Sequence, residues 1–273
     1  MSSLDRMLRV LDLFAAERPH WTVEQAMTRT GFSRSTIYRY FKSLTAAGLV
    51  APGPDGAYCL GPAVIGLDRL IRLYDPLLAT ARGQLTELAR NLSLVTVVQP
   101  YRDQVVVTHV EAAPGLATPP DLVRGLSAGL FDSAASRVIL AHEPVRRLRR
   151  VYDVAGPAIA EAGLGASWTA FRQALRVQRR VGFAAHRGQG PLGALAVAVP
   201  VFGEGDRVIA AIAAPARDAD VATVGGTLFR ASRRIAAQLI ERQPPEPEAI
   251  ARASAALWRP PASSDRAAQL LTA

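Results

Sequence analysis

The sequence predicts an α+β fold: a winged helix–turn–helix over residues 1–61, a linker helix over 62–75, and a larger domain over 76–243 in which an antiparallel sheet is flanked by helices. Three observations carry this reading. Capped helical segments and a Gly/Pro-rich hairpin follow one another in the N-terminal part. Strand and helix patterns then alternate, and two of the turns between strands are too short for a crossover, so those pairs must be antiparallel. A length of 273 residues suits two domains. Residues 244–273, with their PPEPE and RPPASS stretches, read as a mobile tail with a short helix near Trp258.

Each element has its own signal. Ser3 can cap a helix over 4–16, where Leu4, Met7, Leu8, Leu11 and Phe14 recur at helical spacing and Pro19 ends the segment. Thr22 opens a second helix with Gln25 in capping-box position, Val23, Ala26 and Met27 inward, and Gly31 as its stop. Ser33 caps a third helix that runs to about Ala47 and closes at Gly48. Ile37, Phe41 and Leu44 share one face of it; Arg34, Ser35, Tyr38, Arg39 and Lys42 share the opposite one. Leu49–Ala51, a Pro52–Gly56 turn and Ala57–Leu60 then spell a hairpin. From Pro62 to Leu92 the apolar spacing describes a long helical connector broken near Pro76.

In the second half, strands are expected at Leu94–Gln99, Gln104–Glu111, Val181–Ala185, Ala194–Phe202 and Arg207–Ala214. Helices are expected at Asp132–His142, Pro144–Val151, Ser167–Arg180 and Val221–Glu241. Arg102-Asp103 and Gly203-Glu204-Gly205 are the short turns.

Composition bounds the function. Hydrophobic content of 49% against 20% charged residues is enough for a substantial core, and no run of 18 uninterrupted apolar residues occurs to cross a membrane. The single cysteine, Cys59, rules out an internal disulfide framework and suits a reducing, cytoplasmic setting. The net charge of +9 points to an anionic partner. That excess is spread along the chain, but between Gln25 and Pro54 no acidic residue occurs, whereas Arg29, Arg34, Arg39 and Lys42 all fall there.

This basic, hydroxyl-rich third helix has the chemistry of a DNA-reading helix. The second helix of a helix–turn–helix places its first residues at base edges in the major groove. Arg34 can make a bidentate contact to guanine, worth about 1–3 kcal/mol of discrimination. Thr22, Ser33, Ser35, Thr36, Tyr38, Arg39 and Lys42 can serve phosphates or bases, and Tyr58 on the hairpin can reach the backbone. A Ser-capped helix with a solvated basic face is the bland alternative; the capped helix before it and the hairpin after it favour DNA. "SRSTIYRYF" is also similar to the recognition helix of tetracycline-repressor-like proteins, which lack a wing, whereas "KSLTAAGLVAPGPDGAYCLGP" follows here.

Taken together, "SLDRMLRVLDLF", "TVEQAMTRTGFSRSTIYRYFKSLTAAGLV" and "DGAYCLGPAVIGL" resemble the IclR family of bacterial transcription regulators over residues 3–67. The resemblance implies a C-terminal effector-binding domain related to GAF/PAS sensors. It also implies a homodimer, or a tetramer built as a dimer of dimers, on double-stranded pseudo-palindromic operator DNA. The effector pocket it implies falls on Leu130, Phe131, Ser133, Ala134, His186, Ala196, Ala213 and Pro215. Here the chain departs from the family pattern. Phe131 stands for a common histidine, Ser136 for a glycine, Leu195 for an arginine, Ala196 for a cysteine, and Ala213 and Pro215 for serines. With Ser133, His186 and Arg187 left as polar groups, the expected ligand is a bulkier, more apolar organic or aromatic molecule, or none.

Several motifs look like chemistry. "GLSAG" (Gly125–Gly129) fits a serine-nucleophile pattern at Ser127, but no hydrophobic strand precedes it and the expected helix waits until Asp132. "GQGPLG" (Gly188–Gly193) fits a dinucleotide fingerprint but leads into a strand. His20, His109, His142 and His186 share no ligand spacing, so neither metal nor cofactor is expected. Arg146, Arg147, Arg149 and Arg150 read as a solvated helix face or subunit contact, with accessory DNA contact as the alternative. No enzymatic role is expected.

Overall fold

A computed structural model describes residues 2–15, 17–119, 122–188 and 195–241. The chain divides into two compact units, residues 1–79 and 80–273. The GQGPLG stretch beyond Gly188 and the 244–273 tail lie outside the described residues.

In the first unit, α1 (Ser3–Arg9) is capped by Ser2 rather than Ser3. Only Ser2 has an acid three residues on: its hydroxyl accepts from the Asp5 amide while the Asp5 carboxylate accepts from the Ser2 amide. The expected helix over 4–16 is also shorter. It tightens into a 3₁₀ turn at Val10–Leu13, Phe14 is extended, and Ala15 and Arg18 exchange backbone hydrogen bonds. α2 (Val23–Thr30) has the expected Thr22/Gln25 capping box and ends at Gly31, whose φ of 74° suits glycine. α3 (Arg34–Ala46) is capped by the Ser33 hydroxyl.

β1 (Val50–Pro52) and β2 (Tyr58–Leu60) form the antiparallel wing, and Trp21 adds a bridge to Tyr58 through two backbone hydrogen bonds. Gly61 ends the wing in a close crossing: a Cβ there would lie 2.2 Å from the Gly48 carbonyl oxygen. The core of the unit gathers Val10, Trp21, Ala26, Ile37, Tyr40, Phe41, Leu44 and Val50. The connector splits as expected, into α4 (Ala63–Tyr74) and α5 (Pro76–Leu92). Pro76 needs no N–H at a helix start, and the Asp75 carboxylate accepts from the amides of Leu77 and Leu78.

The second unit is a six-stranded antiparallel sheet with helices on both faces. Its strands are β3 (Leu94–Tyr101), β4 (Gln104–Ala112), β5 (Ser127–Gly129), β6 (Ala184–Arg187), β7 (Leu195–Phe202) and β8 (Val208–Pro215), in the order β5-β4-β3-β8-β7-β6. The helices are α6 (Ala134–Ala141), α7 (Val145–Glu161), α8 (Trp168–Val181) and α9 (Val221–Glu241). One sheet face packs Val98, Val105, Val107, Ala198, Ala211 and Ala213 against Ala134, Ala135, Val138 and Ile139 of α6. Alternate residues such as Val197, Val199 and Val201 face the other way, where α9 lies on β7 and the Ser232 hydroxyl donates to the Pro200 carbonyl. Among the described residues no helix is long and apolar enough to cross a membrane.

Three expectations are corrected. β6 starts at Ala184, because α8 runs on to Val181 and needs Gly182, at φ 86°, to close it. α7 continues ten residues beyond Val151, to Glu161, with a kink at Ala155 ahead of the internal Pro157. β5 was not expected at all; its three small residues carry no apolar alternation and are held by pairing with β4.

Candidate nucleic-acid interface and effector site

α2 and α3 meet across the Gly31 turn. α3 turns Ile37, Tyr40, Phe41 and Leu44 inward. Outward it presents Arg34, Ser35, Tyr38, Arg39 and Lys42, all exposed; Tyr38, at 58%, is a large aromatic held mostly in solvent. The Arg34 side chain, 74% exposed, lies 3.1 Å from the Glu24 carboxylate on α2. Arg39 rests its guanidinium 5.8 Å from the Tyr40 ring centre. Ser33, Ser35 and Thr36 share side-chain hydrogen bonds at the helix start, with Ser33 to Thr36 at 2.9 Å.

Of the expected DNA-contacting residues, Thr22 and Ser33 spend an acceptor on their caps, and Tyr58 stands apart from the rest. Its ring stacks on Phe41 with centres 4.3 Å apart, so, half-buried, it packs against the core and anchors the wing. Tyr40 also belongs to the core, edge-on to Phe32, with its hydroxyl 3.3 Å from that of Ser3. Ile37 to Phe41 to Leu44 is the visible apolar stripe, and Tyr40 widens it by one position, which the polar hydroxyl conceals.

In the second unit, register places His186, Ala196 and Pro215 in one row across β6, β7 and β8, with Ala184, Ala198 and Ala213 in the next. Ala196 and Ala213 pack with Ala134 on the α6 side of the sheet. Leu130 is half-buried in the turn before α6. Phe131 is separated from these: it packs between α6 and the α7–α8 pair, with Leu140, Leu148 and Phe171. The Ser133 hydroxyl is engaged in a capping box, accepting from the Ser136 amide at 3.0 Å and donating to the Ser136 hydroxyl at 3.0 Å. Arg187 pairs with Asp218 at 3.2 Å, and in the alternation of β6 it points to the side opposite His186.

A charged residue missed in the sequence sits beside this site. Arg137 is 8% exposed on α6, and donates from Nε to the Phe131 carbonyl (2.9 Å) and from Nη2 to the Ala162 carbonyl (2.6 Å). Burial holds its pKa down, while Asp132 opposes the shift. The His186 imidazole is held below its ordinary value by burial and then by Arg137, with Asp132 again opposing. The signal was available: Arg137 is the only charge within the otherwise small and apolar run Ala134–Ala141.

Ser127 does not form a nucleophile elbow. It opens a three-residue edge strand paired with Val106, and α6 begins only at Ala134. His142, a nominal base, holds the Val138 carbonyl with its Nδ1 at 2.8 Å.

Residues 3–54 match the family model of the IclR helix-turn-helix domain, and residues 75–242 match that of the bacterial transcriptional regulator IclR C-terminal domain. The HTH-type transcriptional regulator XynR of Escherichia coli strain K12 is 26% identical over 215 residues, which cover 78% of this chain and 84% of XynR. An IclR transcriptional regulator from Alicyclobacillus acidocaldarius superposes with a TM-score of 0.69 at 24% identity, over 86% of this chain and 97% of its own. An IclR homolog from Microbacterium hydrocarbonoxydans, complexed with 4-hydroxybenzoate, superposes at 0.65 with 23% identity, over 87% and 99%. At such identities the two structures speak for the fold alone, and the family matches, in order over most of the chain, speak for the rest. The chain belongs to the IclR family of DNA-binding bacterial transcription regulators, whose members are regulators and not enzymes.

Proposed function

We propose that this regulator reads a pseudo-palindromic operator with α3, as a homodimer or a dimer of dimers, and that its 76–243 domain answers to a small, relatively apolar organic effector. The outward face of α3 carries the DNA part. Arg34, Ser35, Tyr38, Arg39 and Lys42 are all solvent-facing on a helix whose other side is core. Arg34 addresses a base edge and Arg39 and Lys42 address phosphates, with Ser33, Ser35, Thr36 and Thr22 near the backbone and the wing in contact beside them. Such a regulator works where its DNA is, which places it in the bacterial cytoplasm.

Self-association is supported by apolar surface in the first unit. No residue of α4 is buried, although Ile65, Leu67, Ile71 and Leu73 lie on it; α1 adds exposed Leu4 and Leu8. A helix this apolar with no buried face needs a partner, and a second copy supplies one.

The effector reading rests on the alanine-lined surface of β7 and β8 under α6, beside His186 and Arg137. A related IclR homolog carries 4-hydroxybenzoate, an aromatic acid. Here Ser133 and Ser136 satisfy each other, so the apolar part of a ligand would dominate. A purely structural domain is the second reading, and the same closed hydroxyl pair favours it. Thermal-shift screening of aromatic and aliphatic compounds separates the two, since an effector raises the melting temperature by binding the native state. A hit that also changes operator affinity supports sensing; a screen without hits supports the structural domain.

A further inference from the structure

On the sheet face opposite α6, α5 and α9 run side by side. Gln84 donates to Gln238 at 2.6 Å and ties them together, and Thr86 donates to Glu111 on β4, fixing α5 to the sheet. Between the two helices lies a groove of about 470 Å³, within the size range of small-ligand sites.

Its two walls differ in charge. On α9, Thr223, Thr227, Arg230 and Arg234 follow one another at helical spacing along the groove. Arg230 donates to the Thr227 hydroxyl at 3.3 Å, and neither arginine has a carboxylate within ion-pair distance among the described residues. Two guanidinium groups one turn apart repel each other, and a bound anion would remove that repulsion. On α5, the facing wall offers Glu87 with the amides of Gln84 and Asn91, above a floor that includes Leu88 and Ala231. A simple anion would meet Glu87, and a simple cation would meet both arginines.

We propose that the groove between α5 and α9 is a second ligand site, separate from the α6 surface, for a small zwitterionic amino acid whose carboxylate lies on Arg230 and Arg234 and whose ammonium group lies on Glu87. Bidentate arginine pairing would orient the carboxylate, and the apolar floor accommodates the methylenes between the charges.

The test is a melting-temperature series on the full chain with ω-amino acids from glycine to 6-aminohexanoate, beside hexanoate and hexylamine. One chain length should raise the melting temperature saturably, while the plain acid and the plain amine should bind at least tenfold more weakly. The double variant Arg230→Ala/Arg234→Ala should abolish the shift. Glu87→Gln should bring hexanoate up toward the zwitterion, a change of preference that loss of folding cannot mimic. All three side chains are exposed, and each variant's own melting transition reports its folding. The proposal fails if no member of the series shifts the transition, or if the shift survives in the double arginine variant.

Discussion

The guanidinium of Arg34 on α3 lies 3.1 Å from the carboxylate of Glu24 on α2, with both side chains more than half exposed. An exposed pair of this kind is worth about 0.2–1 kcal/mol, less than the roughly 1–3 kcal/mol a bidentate guanine contact contributes. The pair therefore orients Arg34 without holding it back from DNA. Arg34→Ala should relax preference at one base position by roughly five- to a hundredfold while non-specific binding changes little. Glu24→Gln should do the reverse, strengthening binding to every sequence by removing an acid beside the phosphates. Competition binding against operators altered one base at a time reads both effects. Equal losses on all sequences for Arg34→Ala would remove it from base reading.

Lys42 sits two turns further along the same face and is exposed. As a phosphate contact it should affect all sequences alike. Lys42→Ala should reduce the slope of log K against log salt by about 0.9 per half-site contact, leaving the ranking of operator variants unchanged. An unaltered slope would place Lys42 off the DNA.

Tyr58 was expected on the DNA side, and its stacking on Phe41 gives it another role. Tyr58→Ala should destabilise the N-terminal unit, by less than the roughly 3–5 kcal/mol of fully buried aromatic truncations, because the ring is half-buried. Tyr58→Phe should leave both stability and operator affinity close to the original. A marked loss of affinity in Tyr58→Phe would mean that the hydroxyl reaches a phosphate after all.

These cases show which parts of the protein the sequence makes legible. α2 and α3 could be bounded to within a residue because local chemistry specifies their ends: Thr22 with Gln25, Ser33, and glycine at Gly31 and Gly48. β5 was illegible because Ser127–Gly129 is a strand only by virtue of its neighbour β4. The far half of α7 was illegible because packing of Ile159 carries the helix past a proline that local rules treat as a stop. The same limit applies to the effector site. Its residues could be named one by one, but only the fold shows that Ser133 is closed by Ser136, that Phe131 faces α7 and α8, and that Arg137 lies buried beside His186.

The unburied α4 makes oligomeric state a sharp test. Leu67→Asp with Ile71→Asp places charges on a helix surface that is solvent-facing within the chain, so folding of a single copy should survive. Sedimentation velocity should show a shift from dimer or tetramer to monomer. Operator affinity should fall at least tenfold, because one winged domain then reads one half-site. Unchanged mass would move the subunit contact away from α4.

Two half-buried histidines of the second unit, His142 and His186, set a pH dependence. His142 is held below its ordinary value of 6.5 chiefly by burial, with Arg179 adding to the shift and the bond to the Val138 carbonyl opposing it. His186 moves the same way, through burial and Arg137. In the window below 6.5 and above the depressed folded values, the unfolded chain binds protons that the folded chain does not. By linkage, stability then rises with pH in that window and is lost as pH falls through it. The melting temperature should therefore be level above neutrality and decline below about 6.5, well before acids such as Asp5, whose own pKa is lowered, begin to protonate. His142→Gln should flatten that decline while keeping a side-chain donor near the Val138 carbonyl and some of the packing against Phe202, whose ring centre lies 5.2 Å from the imidazole. Melting curves between pH 5 and 8 for His142→Gln, His186→Gln and the pair of changes together check the assignment. The slope should shrink with each and most with both; a slope that keeps its full size in the pair would assign the acid sensitivity to other groups.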